Sequence, residues 1–268
     1  MGGIAFILAA ISAFFCFSSI TDRSSLLSLI VGLAYMIVGF LDDLLKKMHS
    51  KNLGLRAWQK LVFQLSIALL VGVYCVRIGE TSVKLPFTDN TITLGKWYVP
   101  FTVFVFAATV NAVNLTDGLD GLATSTAIPY FLFFGLLIGL QGGNTGIRQI
   151  CFCLVGALFA YLLFNSSPAS VFMGDTGSLA LGGFAACVGI FTGNALYIAL
   201  IGILFVFSVI SVIMQVIYYK VTGGKRIFLM SPVHHHFQQK GYSETKISCA
   251  YFLVTCVVGC VCLFPFLS

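Results

Sequence analysis

The chain has 268 residues, of which 59% are hydrophobic and only 9% charged, and its mean hydropathy is +1.00. A soluble globular domain carries about 25% charged residues; here 15 Lys+Arg and 9 Asp+Glu are too few to wet a water-soluble surface, and so hydrophobic a chain is not disordered, which places it in a lipid bilayer. Nucleic-acid binding is excluded as well, because the net charge of +6 is scattered over loops and forms no continuous basic face.

A membrane-spanning helix needs about 20 apolar residues. Walking along the chain gives nine such segments, some shorter than an ideal span: Gly3 to Ser19, Ser25 to Leu41, Leu61 to Ile78, Tyr98 to Val113, Leu122 to Leu140, Ile150 to Phe164, Leu179 to Thr192, Ala195 to Tyr219 and Ile247 to Phe266. They are continuous apolar runs without polar–apolar alternation, which excludes a β-barrel. The first segment has no basic region before it and no small-residue cleavage site before Asp22-Arg23, so it is expected to be a retained span. Between the third and fourth segments, Val83 to Phe87 and Thr91 to Leu94 flank Thr88-Asp89-Asn90, the pattern of a small β-hairpin or of a plain connecting loop. The expected fold is therefore an all-α polytopic membrane protein, a single domain over 1–268.

Orientation follows from Lys and Arg in alternate loops. One set of connections holds Lys46, Lys47, Lys51, Arg56, Lys60, Lys220, Lys225, Arg226, Lys240 and Lys246; the other holds Arg23, Arg77, Lys84, Lys96 and Arg148. Ten against five puts the first set in the cytoplasm and the hairpin outside. Six of the nine carboxylates then fall on the cytoplasmic side: Asp42, Asp43, Asp117, Asp120, Asp175 and Glu244. Charge near a membrane is costly and tends to mark function, and four loops distant in sequence deliver these groups to one surface.

Asp42-Asp43 closes an apolar run and precedes Lys46-Lys47, so a charge-compensated helix end is one reading. Carboxylates are unfavourable at a helix C-terminus, which favours a functional reason. In the segment 111–121, Asn111, Asn114 and Asp117 share a helical face at three-residue spacing, Asp120 extends it, and Gly118 and Gly121 permit close backbone approach to a ligand. A capped junction explains one of these residues and not four. Asn165 opens the third cytoplasmic loop, where Gly174-Asp175-Thr176-Gly177 before an apolar helix offers N–H groups to a phosphate and Asp175 offers a ligand to a hard cation; a simple N-cap is the alternative. His234, His235 and His236 are adjacent and lack zinc-ligand spacing, so phosphate hydrogen bonding is the better reading. The nine cysteines lie mostly within apolar segments and read as buried hydrophobes.

Asp42-Asp43 with Lys46, the run Asn114-Leu115-Thr116-Asp117-Gly118-Leu119-Asp120-Gly121, the run 172–178 and Ser231 to Phe237 together resemble the bacterial phospho-N-acetylmuramoyl-pentapeptide transferases of the polyprenyl-phosphate sugar-1-phosphate transferase superfamily. The resemblance covers essentially the whole chain. It implies Mg²⁺-dependent transfer of phospho-MurNAc-pentapeptide from UDP-MurNAc-pentapeptide to undecaprenyl phosphate, giving lipid I and UMP for peptidoglycan, in the bacterial cytoplasmic membrane with the active site facing the cytoplasm. A homodimer is compatible with it. By the same resemblance Asp175 is the Mg²⁺ ligand, and Asp42 and Asp43 deprotonate or orient the carrier phosphate, with Lys46 beside them. Asn111, Asn114, Asp117 and Asn165 belong to the polar pocket; Gly118, Leu119, Asp120 and Phe172 form the uridine site, Phe172 stacking on the base. Gln215, His234 and His235 contact the sugar-phosphate region, and His236 supports them. The family pattern has ten spans, with a further N-terminal helix and a loop rich in Lys and Thr before the Gly-Gly that here follows Met1, so the chain is expected to be one span and one loop short of it. Two rival readings are a sister transferase using UDP-N-acetylglucosamine and a cation-coupled transporter. A transporter would place ionisable residues near mid-membrane, and here they gather at one face.

Overall fold

The computed structural model describes residues 1–18, 22–48, 54–88 and 90–267. Ser19, Lys51 and Asp89, used above as a span end, a loop charge and part of the hairpin tip, lie outside the described residues. The helices are α1 (Gly3–Phe17), α2 (Arg23–Met48), α3 (Ala57–Ile78), α4 (Tyr98–Thr116), α5 (Leu122–Leu140), α6 (Thr145–Asn165), α7 (Gly174–Phe191), α8 (Ala195–Ile201), α9 (Ile203–Val221), α10 (Val233–Gln239) and α11 (Glu244–Leu263). Strands β1 (Ser82–Lys84) and β2 (Thr91–Thr93) pair antiparallel, with Val83 opposite Ile92. The hairpin therefore forms, over fewer residues than the alternation suggested.

Among the described residues, eight helices are long and apolar enough to cross a membrane; α1, at 15 residues, is shorter. The protein is an all-α, multi-pass membrane protein. Two boundaries differ from expectation in ways that matter. The segment Ala195 to Tyr219 is not one span: it breaks at Gly202, between α8 and α9, where glycine gives the helix its least support. In addition, α2 runs past Leu41 to Met48, so Asp42 and Asp43 lie inside the helix and not at its end.

Helix α7 is the buried centre, with every residue from Thr176 to Phe191 buried, and α5 is nearly as enclosed. Around α7 pack α1, α2 and α4. With no hydrophobic drive between helices in lipid, close packing of small residues holds them together. Gly39 of α2 is the closest such approach at the site: a Cβ there would stand 2.1 Å from the Asp175 carbonyl oxygen. That contact brings the carboxylates of α2 against the first turn of α7. At the other end the hairpin docks through Lys84 N–H to the Gly193 carbonyl (2.8 Å) and Phe87 N–H to the Tyr197 hydroxyl (3.1 Å).

Candidate active site

Three helices deliver charge to one point, and a fourth adds an amide. Asp42 is 2% exposed on α2, and Lys46, one turn further along, reaches it at 2.7 Å. The same Lys46 ammonium lies 2.6 Å from Oδ2 of Asp175 in the first turn of α7. Lys60, in the first turn of α3, bonds that Asp175 oxygen at 2.8 Å and stands 3.6 Å from Asp42. Asn114 of α4 donates to the other Asp175 oxygen at 2.6 Å and to the Ser178 hydroxyl at 2.8 Å. The backbone N–H of Leu55 donates to the second oxygen of Asp42 at 2.7 Å.

Asp43 is used differently. Its carboxylate accepts the N–H groups of Asp175 (3.2 Å) and Thr176 (3.0 Å) and the Thr176 hydroxyl (2.6 Å). It therefore caps α7 from a neighbouring helix, satisfying donors that the helix N-terminus leaves open. One oxygen each of Asp42, Asp43 and Asp175 lie within 4.8 Å of one another. Lys46, Lys60 and the Met1 amino group, 3.9 Å from Asp43, balance the three carboxylates, and all three offer hard oxygen donors, so the residues fit a divalent cation. Asp117, just beyond α4, has its carboxyl held well above the usual carboxylate range, first by burial and then by the charges of Asp175 and Asp43.

Beside the cluster is a cleft of about 280 Å³ lined by Asp117, Gly118, Leu119, Asp120, Asn165 and Phe172, with Met173, Gly174 and Glu244. Phe172 is 66% exposed, a ring face open to a planar partner. On the Gly118 side stand two histidines. His234 is fully buried, its ring centroid 4.5 Å from that of His235, and neither of its nitrogens has a hydrogen-bond partner among the described residues. A Cβ at position 118 would lie 2.6 Å from Nε2 of His234 and 2.9 Å from Nε2 of His235, so glycine is what lets both imidazoles reach the backbone there. Burial, helped by His235, pushes the His234 imidazole down to about 3 and keeps it neutral.

The sequence model of glycosyl transferase family 4 matches residues 25–193. A protein named phospho-N-acetylmuramoyl-pentapeptide-transferase in Clostridium perfringens is 45% identical over 264 residues, 98% of this chain and 82% of that protein. One of the same name in Clostridium novyi is 42% identical over 271 residues, 100% of this chain and 82% of that protein. The chain belongs to glycosyl transferase family 4, with the phospho-N-acetylmuramoyl-pentapeptide-transferases. Within that family frame the geometry sorts the residues expected from sequence.

Asp42, Asp43, Lys46, Asn114 and Asp175 form the charged cluster, and Asp117, Gly118, Leu119, Asp120, Asn165 and Phe172 line the adjoining cleft. Some of these also tie loops together: Asp120 accepts the Ala169 N–H and donates its own N–H to Glu244, and Asn165 accepts from Thr124 and donates to the Val171 carbonyl. Others stand apart. Asn111 lies on the face of Asn114 but one turn away from the cluster, where its side chain bonds Gln64 of α3 at 2.9 Å. Gln215 is spent on the loop before α10, accepting the N–H groups of Ile227 and Phe228 and donating to the Phe228 carbonyl. His236 accepts the Leu229 N–H in the same loop. Lys60 and Glu244 were counted only as loop charges. The signal for Lys60 was its place immediately before the apolar stretch that starts at Leu61.

Proposed function

We propose that this protein transfers phospho-MurNAc-pentapeptide from UDP-MurNAc-pentapeptide to undecaprenyl phosphate at the cytoplasmic face of the bacterial cell membrane, releasing UMP and forming lipid I. The observation that carries the reading is the Asp42–Lys46–Lys60–Asp175 cluster at one end of a multi-pass bundle, beside a polar cleft with an exposed aromatic ring. An apolar bundle suits a lipid-borne acceptor, and an open polar end suits a soluble sugar nucleotide.

In this reading an oxygen of the carrier phosphate attacks the phosphorus attached to the sugar, the bond from that phosphorus to the bridging oxygen breaks, and UMP leaves with that oxygen. Such a reaction needs mainly positioning and neutralisation of charge. Lys46 and Lys60 supply fixed positive charge where the diphosphate would lie. Phe172 would stack on the base, while Gly118, Leu119 and Asp120 form the wall beside it. His234 and His235 would donate or accept at the sugar-phosphate end, His234 as a neutral imidazole. Asp175, with Asp42, would hold Mg²⁺, which when bound would neutralise the diphosphate. Both oxygens of Asp43 are engaged by α7, and those of Asp42 by Lys46 and Leu55. Asp42 would orient the attacking oxygen of the carrier phosphate.

The test is UMP release from UDP-MurNAc-pentapeptide, with and without undecaprenyl phosphate and Mg²⁺. Release requiring both is expected. Equal release from UDP-N-acetylglucosamine would point to the sister transferase, and no release from either donor would contradict the reaction.

A further inference from the structure

Beside Lys46 of α2, which also bonds Oδ2, Asp175 receives two donors from different helices: Lys60 of α3 on Oδ2 and Asn114 of α4 on Oδ1. Both can bind at once only if α3 and α4 hold one axial register. About one turn deeper, roughly 5–6 Å along the axes, the two helices are joined by a polar contact. Asn111 Nδ2 donates to Gln64 Oε1 at 2.9 Å and to the Ala107 carbonyl of its own helix at 2.8 Å. Gln64 lies four residues after Lys60 and Asn111 three residues before Asn114, so the contact sits beneath the two donors on the same helix faces. Gln64 also reaches the third helix of the site, since its backbone carbonyl accepts the Tyr35 hydroxyl of α2 at 2.9 Å.

Packing does not account for a glutamine here. The residue is 1% exposed, and its Nε2 has no hydrogen-bond partner among the described residues. An unpaired buried amide costs free energy that a leucine of similar size would not. We propose that Gln64 is a positioning residue: through Asn111 it sets the register of α3 on α4, so that Lys60 and Asn114 engage the two oxygens of Asp175 together. The consequence for turnover rests on the proposed reaction; the consequence for Lys60 does not.

The test uses the full chain with Gln64→Leu, and with the exchange Gln64→Asn plus Asn111→Gln, which keeps an amide pair of the same combined length. Acetic anhydride modification of Lys60 is followed by mass spectrometry, with exposed Lys47 as internal reference. Lys60 should react about fivefold faster in Gln64→Leu, the factor that loss of one net hydrogen bond corresponds to, and return to the parental rate in the exchange variant, with Lys47 unchanged throughout. In UMP release, Gln64→Leu should lower kcat about tenfold and leave KM for the sugar nucleotide within about twofold, the pattern of lost alignment and not of lost binding. Unchanged Lys60 reactivity in Gln64→Leu would overturn the proposal, as would a rise shared by Lys47 and not reversed by the exchange. A parent chain that releases no UMP would contradict the proposed reaction alone, and Lys60 labelling would still decide the role of Gln64.

Discussion

The two ends of the helical bundle are both polar, yet they are held by different physics. At the hairpin end, Lys84 bonds a neutral amide, Gln141 (2.8 Å), which also accepts from Asn194 (2.9 Å), and the strands attach by backbone hydrogen bonds. At the opposite end, among the described residues, lie all the ion pairs of the chain, and four of them join two lysines to Asp42 and Asp175. The first arrangement closes a connection between helices. The second keeps three carboxylates within 4.8 Å of one another, which mutual repulsion would disperse unless cations held them. Concentrated charge at one end is an arrangement for binding charge, and stability alone would have spread it.

Substitutions at the two ends should therefore differ in size and in kind. Asp42→Asn removes the charge facing Lys46 and Lys60, and turnover should fall about 10³-fold, the upper range for one preorganised charged group, while calorimetry finds sugar-nucleotide binding largely kept. Abolished nucleotide binding would instead place Asp42 against the uridine. Lys60→Met leaves Asp175 and Asp42 sharing Lys46 alone. Turnover should drop about 10²-fold and thermal unfolding should report a loss of about 2 kcal/mol, less than a fully broken buried pair because Lys46 remains. Unaltered stability would mean that Lys60 is dispensable to the cluster.

An effect absent near neutral pH, and growing only on acidification, is expected from His234. Its folded value of about 3 lies below the ordinary 6.5, so on acidification the unfolded chain binds a proton that the native chain refuses. Stability present above pH 6.5 should decline between about 6.5 and about 3, by up to about 1.4 kcal/mol per pH unit. His234→Gln should flatten that part of the thermal stability profile; a profile identical to the parent's would mean that the imidazole charges in place. Smallest of all is Lys84→Gln at the hairpin end. It should change stability by less than about 1 kcal/mol and leave UMP release unaffected. A large loss of turnover there would erase the contrast between the ends.

Much of this was legible in the sequence, for identifiable reasons. Asp42-Asp43 stood out because adjacent carboxylates at the end of an apolar run break a local rule, and Asp175 because a short Gly-rich turn precedes a helix. Phe172, far from Leu119 and Asp120 in sequence, was grouped with them through the family resemblance and not by any local pattern, and the three line one cleft. What the sequence hid was set by packing between distant segments. Lys60 reaches Asp175 because α3 packs on α4 and α2, which in turn pack on α7. Asn111 has the same spacing as Asn114 and Asp117, but a neighbouring helix places Gln64 against it, and periodicity cannot reveal which neighbour a face meets. Gln215 and His236 enter through the family resemblance, as a contact to the sugar-phosphate region and its support, and in the structure both accept backbone N–H groups of the loop before α10. Asp43 carries a helix cap in trans, which no local pattern announces.

The most direct measurement is UMP release by Asp175→Asn beside the parent, with folding checked by thermal unfolding and donor binding by calorimetry. Asp175 is where Lys46, Lys60 and Asn114 converge and where α7 begins. The account expects a folded protein whose Mg²⁺-dependent turnover is reduced about 10³-fold or more. Turnover within a few-fold of the parent would contradict it.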